Sequence, residues 1–155
     1  MGKGEARLKF YSGISLITLG VENVENSSRF YESLGWRRSI GASQPAITFF
    51  ALNTLVIALF PRDALAQDCG LDGEALAPSR AFSSVTLAQN HGSRPAVDAV
   101  MQQARAAGAR ILKSAIATDW GGYHGIFSDP DGHIWEICHN PLFPLAVDGS
   151  ISLPP

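Results

Sequence analysis

The stretch from Gly121 to Ile137, GGYHGIFSDPDGHIWEI, constrains the fold of this chain more than any other segment. Asp129-Pro130-Asp131-Gly132 predicts a tight turn. Proline pre-sets φ at the first corner, aspartate carboxylates take local backbone N–H groups, and glycine occupies the position with φ > 0. The flanking runs alternate, so the segment is a β-hairpin. In its second strand, period-2 alternation places Ile134, Glu136 and Cys138 on one face. Trp135 and Ile137 fall on the other, with His133 and His139 at the strand ends. Glu136 is therefore an acid carried on a sheet face between apolar neighbours, a placement that calls for a role.

The rest of the chain repeats one order of elements. Gly13 to Val21 is strand-like, and Asn23 offers an N-cap for a short helix with Val24, Phe30, Tyr31 and Leu34 on its apolar side. Gly35 stands where a C-cap glycine is expected. Trp36 to Ile40 is a strand candidate, and residues 46–51 and 54–60 form a hairpin around Leu52-Asn53. Residues 61–80 interrupt this with a short helical turn over Arg62 to Gln67 and a Gly/Asp/Pro-containing loop. That segment is either a linker or a cover over a pocket, and the linker is favoured. The order then recurs: a strand over Phe82 to Gln89, a helix capped by Ser93 with Val97, Val100, Met101 and Ala104 on one side, Gly108 as its stop, a strand over Arg110 to Ala117, and the hairpin.

Two βαβββ modules, each with one apolar sheet face and one helix, bury most when they pair their sheets around a shared cleft. The fold class is therefore α+β. The expected boundaries are one domain over 10–145, with modules at about 13–60 and 82–140 joined by a linker at 61–81, and an extended tail over 146–155. At 155 residues the chain supports one well-buried core. A formal net charge of −2 gives no electrostatic footprint for nucleic acid or an anionic membrane. No apolar run is long enough to cross a bilayer, and Met1 to Lys9 lacks the apolar stretch of a secretory signal. The two cysteines, Cys69 and Cys138, make no disulfide framework, and a reducing cytoplasm is the expected compartment. Cys138, in a strand, is expected as a small buried hydrophobe rather than a nucleophile.

These residues resemble the vicinal oxygen chelate superfamily, which includes glyoxalase I, bleomycin and fosfomycin resistance proteins and extradiol dioxygenases. The matching segments are Ile17-Thr18-Leu19-Gly20-Val21, Ser28 to Trp36 (SRFYESLGW), Ala107-Gly108-Ala109 and Phe127 to Ile137 (FSDPDGHIWEI). The resemblance implies a glyoxalase/bleomycin-resistance/dioxygenase fold with a shared cleft. In the family's metalloenzymes, one side chain from the first strand and one from the last strand of each module converge on a divalent metal. The ligands are His, Glu or Gln, and the metal polarises substrate oxygens. By the resemblance those positions are Leu16, Val85, a site near Ile57, and Glu136. Only Glu136 is a ligand-type residue, so neither a metal nor another cofactor is expected. The four histidines are expected to be solvated or structural. His124 lies on the strand paired with that of Glu136, His133 and His139 face away from Glu136, and His91 sits in an exposed loop.

Alternation from Leu16, Ile57, Val85 and Glu136 assigns Thr18, Leu55, Leu59, Leu87, Ile134 and Cys138 to the same cleft face. An apolar lining with one carboxylate suits a small-molecule pocket, and equally a filled core. Glu136 without a cation is expected to titrate above the ordinary carboxylate range, and paired with a donor it stays ionised. In either state it is the candidate catalytic acid or base. Trp120 and Tyr123, beside Gly121-Gly122, supply an aromatic wall and a hydroxyl at the pocket mouth, or else pack between sheet and helix. The tail after Pro141 is too apolar for disorder and too proline-rich for a helix, so it packs on its own domain or on a second copy.

Three functions follow as expectations. The first is a glyoxalase/bleomycin-resistance-like protein that binds a small apolar or carbonyl-containing molecule without the family metal, as a homodimer. The second is a lyase or isomerase resembling glyoxalase I, using a divalent metal or Glu136. The third is a structural or partner-binding domain with a packed cleft.

Overall fold

Asn23 sets the first boundary of the fold: its side chain accepts from the Asn26 N–H at 2.8 Å, ending strand β1 (Leu16–Val21) and starting helix α1 (Val24–Ser33). Gly35, at φ +94°, turns the chain out of that helix. The computed structural model describes residues 13–53, 55–71 and 82–153. Strands β2 (Thr48–Leu52) and β3 (Leu55–Pro61) form the expected hairpin, and β3 runs parallel to β1, giving the order β1-β3-β2. The strand expected over Trp36 to Ile40 is reduced to one isolated bridge, Arg38 to Phe50. Arg38 is committed elsewhere: its guanidinium bonds Glu25 at 2.8 Å and Glu32 at 3.0 Å on α1.

Helix α2 (Arg62–Asp68) occupies the start of the segment between the modules. A Cβ on Gly20 would stand 3.2 Å from the Arg62 backbone and 3.3 Å from Leu65, so α2 lies directly on that face of β1. Helix α2 thus covers part of β1 as well as continuing the chain from β3. Strand β4 (Leu87–Asn90) is shorter than the expected strand over Phe82 to Gln89, because Ser84 adopts φ +59° and breaks the extended run. Helix α3 (Arg94–Ala106) starts at Ser93, whose hydroxyl accepts from the Ala96 N–H at 3.3 Å. Strands β5 (Arg110–Ala117), β6 (Tyr123–Ser128) and β7 (Ile134–His139) complete a second sheet of order β4-β7-β6-β5. In both sheets a module's first strand lies parallel to its last, as a repeated unit requires.

The two halves share one core. Phe30 and Tyr31 of α1 pack with Leu19, Val21, Phe50, Ile57 and Leu59, while Val97, Met101 and Ala104 of α3 pack with Phe127 and Ile137. An aromatic cluster joins them. Tyr31 stacks on Trp36 with centroids 4.7 Å apart, and Trp135 of β7 meets Trp36 edge-on at 5.5 Å. The hairpin turn fastens the joint. Gly132 takes φ +95°, and Asp129 accepts from the N–H groups of Asp131 and His133. Asp131 instead reaches the other module, accepting from the Glu22 N–H at 2.8 Å and the Ser27 hydroxyl at 2.5 Å, at the N-terminal end of α1.

The β1–β3 register corrects one expectation. Leu16 lies beside Val56 and Thr18 beside Ala58, whereas Ile57 lies beside Ile17 and Leu59 beside Leu19. Ile57 and Leu59 therefore face the shared core, and Leu16 and Thr18 point to the opposite side. Matching the strands by motif does not fix the parity of a parallel pair, and a slip of one residue reverses every side chain.

Candidate functional site

Beyond the core, the second sheet presents a face built by its last three strands. On β7 it carries Ile134, Glu136 and Cys138, and the hairpin register sets Ile126 against Glu136 and His124 against Cys138. On β5 the register shifts on either side of Lys113, which pairs with Ile126 and so joins the same face. His124 Nδ1 lies 2.5 Å from Glu136 Oε1, and Lys113 Nζ lies 2.9 Å from His124 Nε2. An ammonium only donates, so Nε2 accepts from Lys113 and the imidazole proton sits on Nδ1, donating to the Glu136 carboxylate. The result is a chain of three titratable groups across three adjacent strands, with Glu136 and His124 partly exposed and Lys113 at the surface.

Of the two expectations for His124, solvated or structural, this geometry sets aside the first: the imidazole is hydrogen-bonded on both sides at the centre of the chain. A carboxylate that fixes the imidazole tautomer leaves Nε2 as an oriented acceptor whenever the flexible lysine swings away. Cys138 is buried beside this chain. Burial first, and the neighbouring Glu136 charge second, push its thiol above the usual range, so it stays protonated, as a small hydrophobe would.

The remaining candidate residues divide between two sides. Leu16 is 42% exposed on β1, Thr18 follows on the same side, and Val85 is 58% exposed ahead of β4. Leu87 lies beside Trp135 and Ile57 beside Ile17, both toward the module junction. The assignment of Ile57 and Leu87 to the Glu136 face is therefore corrected. Tyr123 is level with His139, away from Glu136. Its hydroxyl donates to Asp98 on α3 at 2.7 Å, and the Arg94 guanidinium sits 5.5 Å from its ring centre. Trp120 is 45% exposed and its ring lies over Gly122, where a Cβ would come within 1.8 Å of ring carbons. Tyr123 thus packs between sheet and helix, and Trp120 covers a backbone.

The other histidines serve the frame. His133 Nδ1 is 2.8 Å from Asp129, and His139 Nδ1 donates to the His91 carbonyl at 3.0 Å. His91 is half-buried rather than exposed, and that burial lowers its pKa. For His133, burial works against the proton. The Asp129 bond, the charges of Asp129 and Asp131, and the Gly20 carbonyl together outweigh it and raise the pKa above the usual imidazole range.

The family metal was tested against these positions. Leu16 and Val85 are hydrocarbon, as are Val56 and Ala58, the β3 neighbours of Leu16 and Thr18. One oxygen of Glu136 is already engaged by His124. Among the described residues no group of three His, Cys, Asp or Glu side chains could hold an ion. The donor set does not fit. Of the groups that do converge, His124 was legible from the hairpin register counted outward from the turn. Lys113 was not, because irregularities in β5 break its alternation.

Comparison with known proteins places this arrangement in a family. A sequence model of the Glyoxalase/Bleomycin resistance protein/Dioxygenase superfamily matches residues 13–137. The chain is similar to the crystal structure of a glyoxalase-related enzyme from Fulvimarina pelagi, with 35% identity, 92% of this chain and 99% of that chain covered, and a TM-score of 0.81. It shares its fold with a glyoxalase/bleomycin resistance protein/dioxygenase family enzyme from Burkholderia phytofirmans PsJN, at 20% identity, 81% and 96% coverage and a TM-score of 0.70. A lactoylglutathione lyase from Agrobacterium tumefaciens shares it too, at 17% identity, 85% and 96% coverage and a TM-score of 0.61. No curated protein matches the chain. The chain belongs to the glyoxalase/bleomycin resistance protein/dioxygenase superfamily, the vicinal oxygen chelate proteins.

Proposed function

We propose that the protein binds a small apolar or carbonyl-containing molecule on the Glu136 face, without the family metal. The observation that carries this reading is the engagement of Glu136. Its carboxylate is hydrogen-bonded to His124, and the positions that would supply metal donors in the resemblance hold hydrocarbon at Leu16 and Val85. Lys113 then offers a donor to a ligand oxygen, and His124 Nε2 offers an acceptor to a ligand hydroxyl once the lysine turns to the ligand, while Ile126, Ile134 and Cys138 share the face as its apolar part. The exposed Ile116, which pairs with His124 on this face, and the exposed Leu112 on the same strand support pairing of the second sheet with a second copy as a homodimer. Two free cysteines suit a cytoplasmic protein.

A thermal-shift screen of chelator-treated protein against small carbonyl and aromatic compounds tests the reading, because a ligand that binds only the folded state raises the unfolding temperature. The expected result is a saturable shift that Glu136→Gln and His124→Gln both reduce. Shifts that arise only after a divalent metal is added would overturn it.

A second reading, a lyase or isomerase, is favoured by one observation, the Lys113–His124–Glu136 chain. In that reading His124, oriented by Glu136, takes a proton, and the Lys113 ammonium faces the developing oxyanion. It predicts turnover that His124→Gln abolishes, with retained ligand-induced thermal shift.

A further inference from the structure

The side of the fold opposite Glu136 is incompletely filled where the two modules meet. Ile17, Leu55, Ile57, Leu87, Trp36 and Trp135 surround a cavity of about 130 Å³. Its lining is almost entirely hydrocarbon and indole, and its size approaches that of the roughly 150 Å³ apolar cavities that take up benzene. Trp36, Leu52, Leu55, Ala88 and Gln89 also line a wider surface groove of about 680 Å³, so the chamber opens into that groove.

The rim of the groove is polar. Arg37, Asn53, Gln89 and Asn90 stand there, with the turn of the C-terminal segment, Asp148 to Ser150, as one wall. Asn53 Nδ2 donates to the Asp148 carbonyl and holds that wall in place. The two charged groups at the rim differ in kind. The Asp148 carboxylate already accepts from the Ser150 N–H at 3.0 Å and its hydroxyl at 2.6 Å. Arg37 is exposed and makes no ion pair among the described residues, whereas the adjacent Arg38 has Glu25 and Glu32. The groove thus joins a ring-sized apolar chamber to a guanidinium that has no ion-pair partner among the described residues, and a guanidinium is matched best by a carboxylate.

We propose that this junction is a second ligand site, separate from the Glu136 face, and that it takes a small aromatic carboxylate. The ring enters the chamber beside Trp36 and Trp135, and the carboxylate meets Arg37 at the rim. The site is independent of the ligand proposed for Glu136.

Benzoate is the probe, and tryptophan emission is the readout. Trp36 and Trp135 line the chamber and Trp120 does not, so a Trp120→Phe background reports on the site alone. Benzoate should change the emission saturably. Arg37→Gln should weaken it at least fivefold while leaving uncharged benzyl alcohol unaffected. Leu55→Phe, which fills the chamber, should abolish binding, and Leu55→Met, of similar volume, should keep it and so control for folding. Glu136→Gln should leave the titration unchanged. The proposal is overturned by any of three results: no saturable change up to the solubility of benzoate, a response indifferent to Leu55→Phe or Arg37→Gln, or a response lost in Glu136→Gln.

Discussion

Tyr31→Phe removes a single oxygen from the joint between the modules, and its effect can be worked out from five hydrogen bonds. The hydroxyl donates to Asp129 Oδ2 at 2.5 Å and accepts from Trp135 Nε1 at 3.1 Å. Burial first, and the Asp129 charge second, drive the phenol pKa far above its usual range, so the hydroxyl remains a donor at every working pH. The Asp129 side chain is fully buried and keeps its bonds from the Asp131 N–H, the His133 N–H and His133 Nδ1 after the substitution. Losing one hydrogen bond to a buried charge costs about 1.5–3 kcal/mol, and leaving the indole N–H of Trp135 without its acceptor costs about 1–3 kcal/mol. Phenylalanine keeps the ring in its stack on Trp36, so no cavity term is added. The expected loss is about 3 kcal/mol, a large share of a domain's stability of roughly 5–15 kcal/mol. In equilibrium urea unfolding, with a slope of about 2 kcal/mol/M, the midpoint falls by about 1.5 M. Trp135→Phe alone and combined with Tyr31→Phe should show coupling of about 1 kcal/mol. A loss below about 1 kcal/mol, or strict additivity, would refute the claim that this network fastens the two modules.

Other perturbations follow from single contacts. Because the folded-state pKa of His133 is raised, its stabilising effect is complete below the ordinary imidazole value of about 6.5 and is lost as pH rises through the folded value. The stability difference between the parent and His133→Asn, measured by urea unfolding from pH 5 to pH 8.5, should therefore shrink with rising pH; a difference that grows would contradict this. A Cβ on Gly125 would stand 2.8 Å from the Met101 methyl, so Gly125→Ala should cost about 1–3 kcal/mol through displacement of Met101, and a neutral result would mean that α3 sits further from β6. Asn23→Ala deletes the cap of α1 and should cost about 1 kcal/mol, with Asn23→Asp close to neutral, both read from the urea midpoint.

Local signals in the sequence carried through to the structure because their causes are local. Asn23, Ser93, Gly35 and Gly108 mark helix ends by backbone chemistry that needs no tertiary partner. The Asp129–Gly132 turn set the hairpin, and with it the face of Glu136. What was not legible depended on contacts distant in sequence. The parity of β1 against β3 put Ile57 on the side opposite Leu16. The pairing of Arg38 with α1 left a bridge where a strand was expected, and irregularities in β5 concealed Lys113. Asp131 was expected to serve its own turn and instead tethers the other module at Glu22 and Ser27. The fold was thus visible in motifs, while the site depended on register.

The most direct test of the account is the metal content of protein purified without chelator or added metal. With Glu136 bonded to His124 and hydrocarbon at Leu16 and Val85, elemental analysis should find zinc, nickel, iron and manganese each far below one atom per chain. One of them near stoichiometry, and lost in Glu136→Gln, would contradict the account.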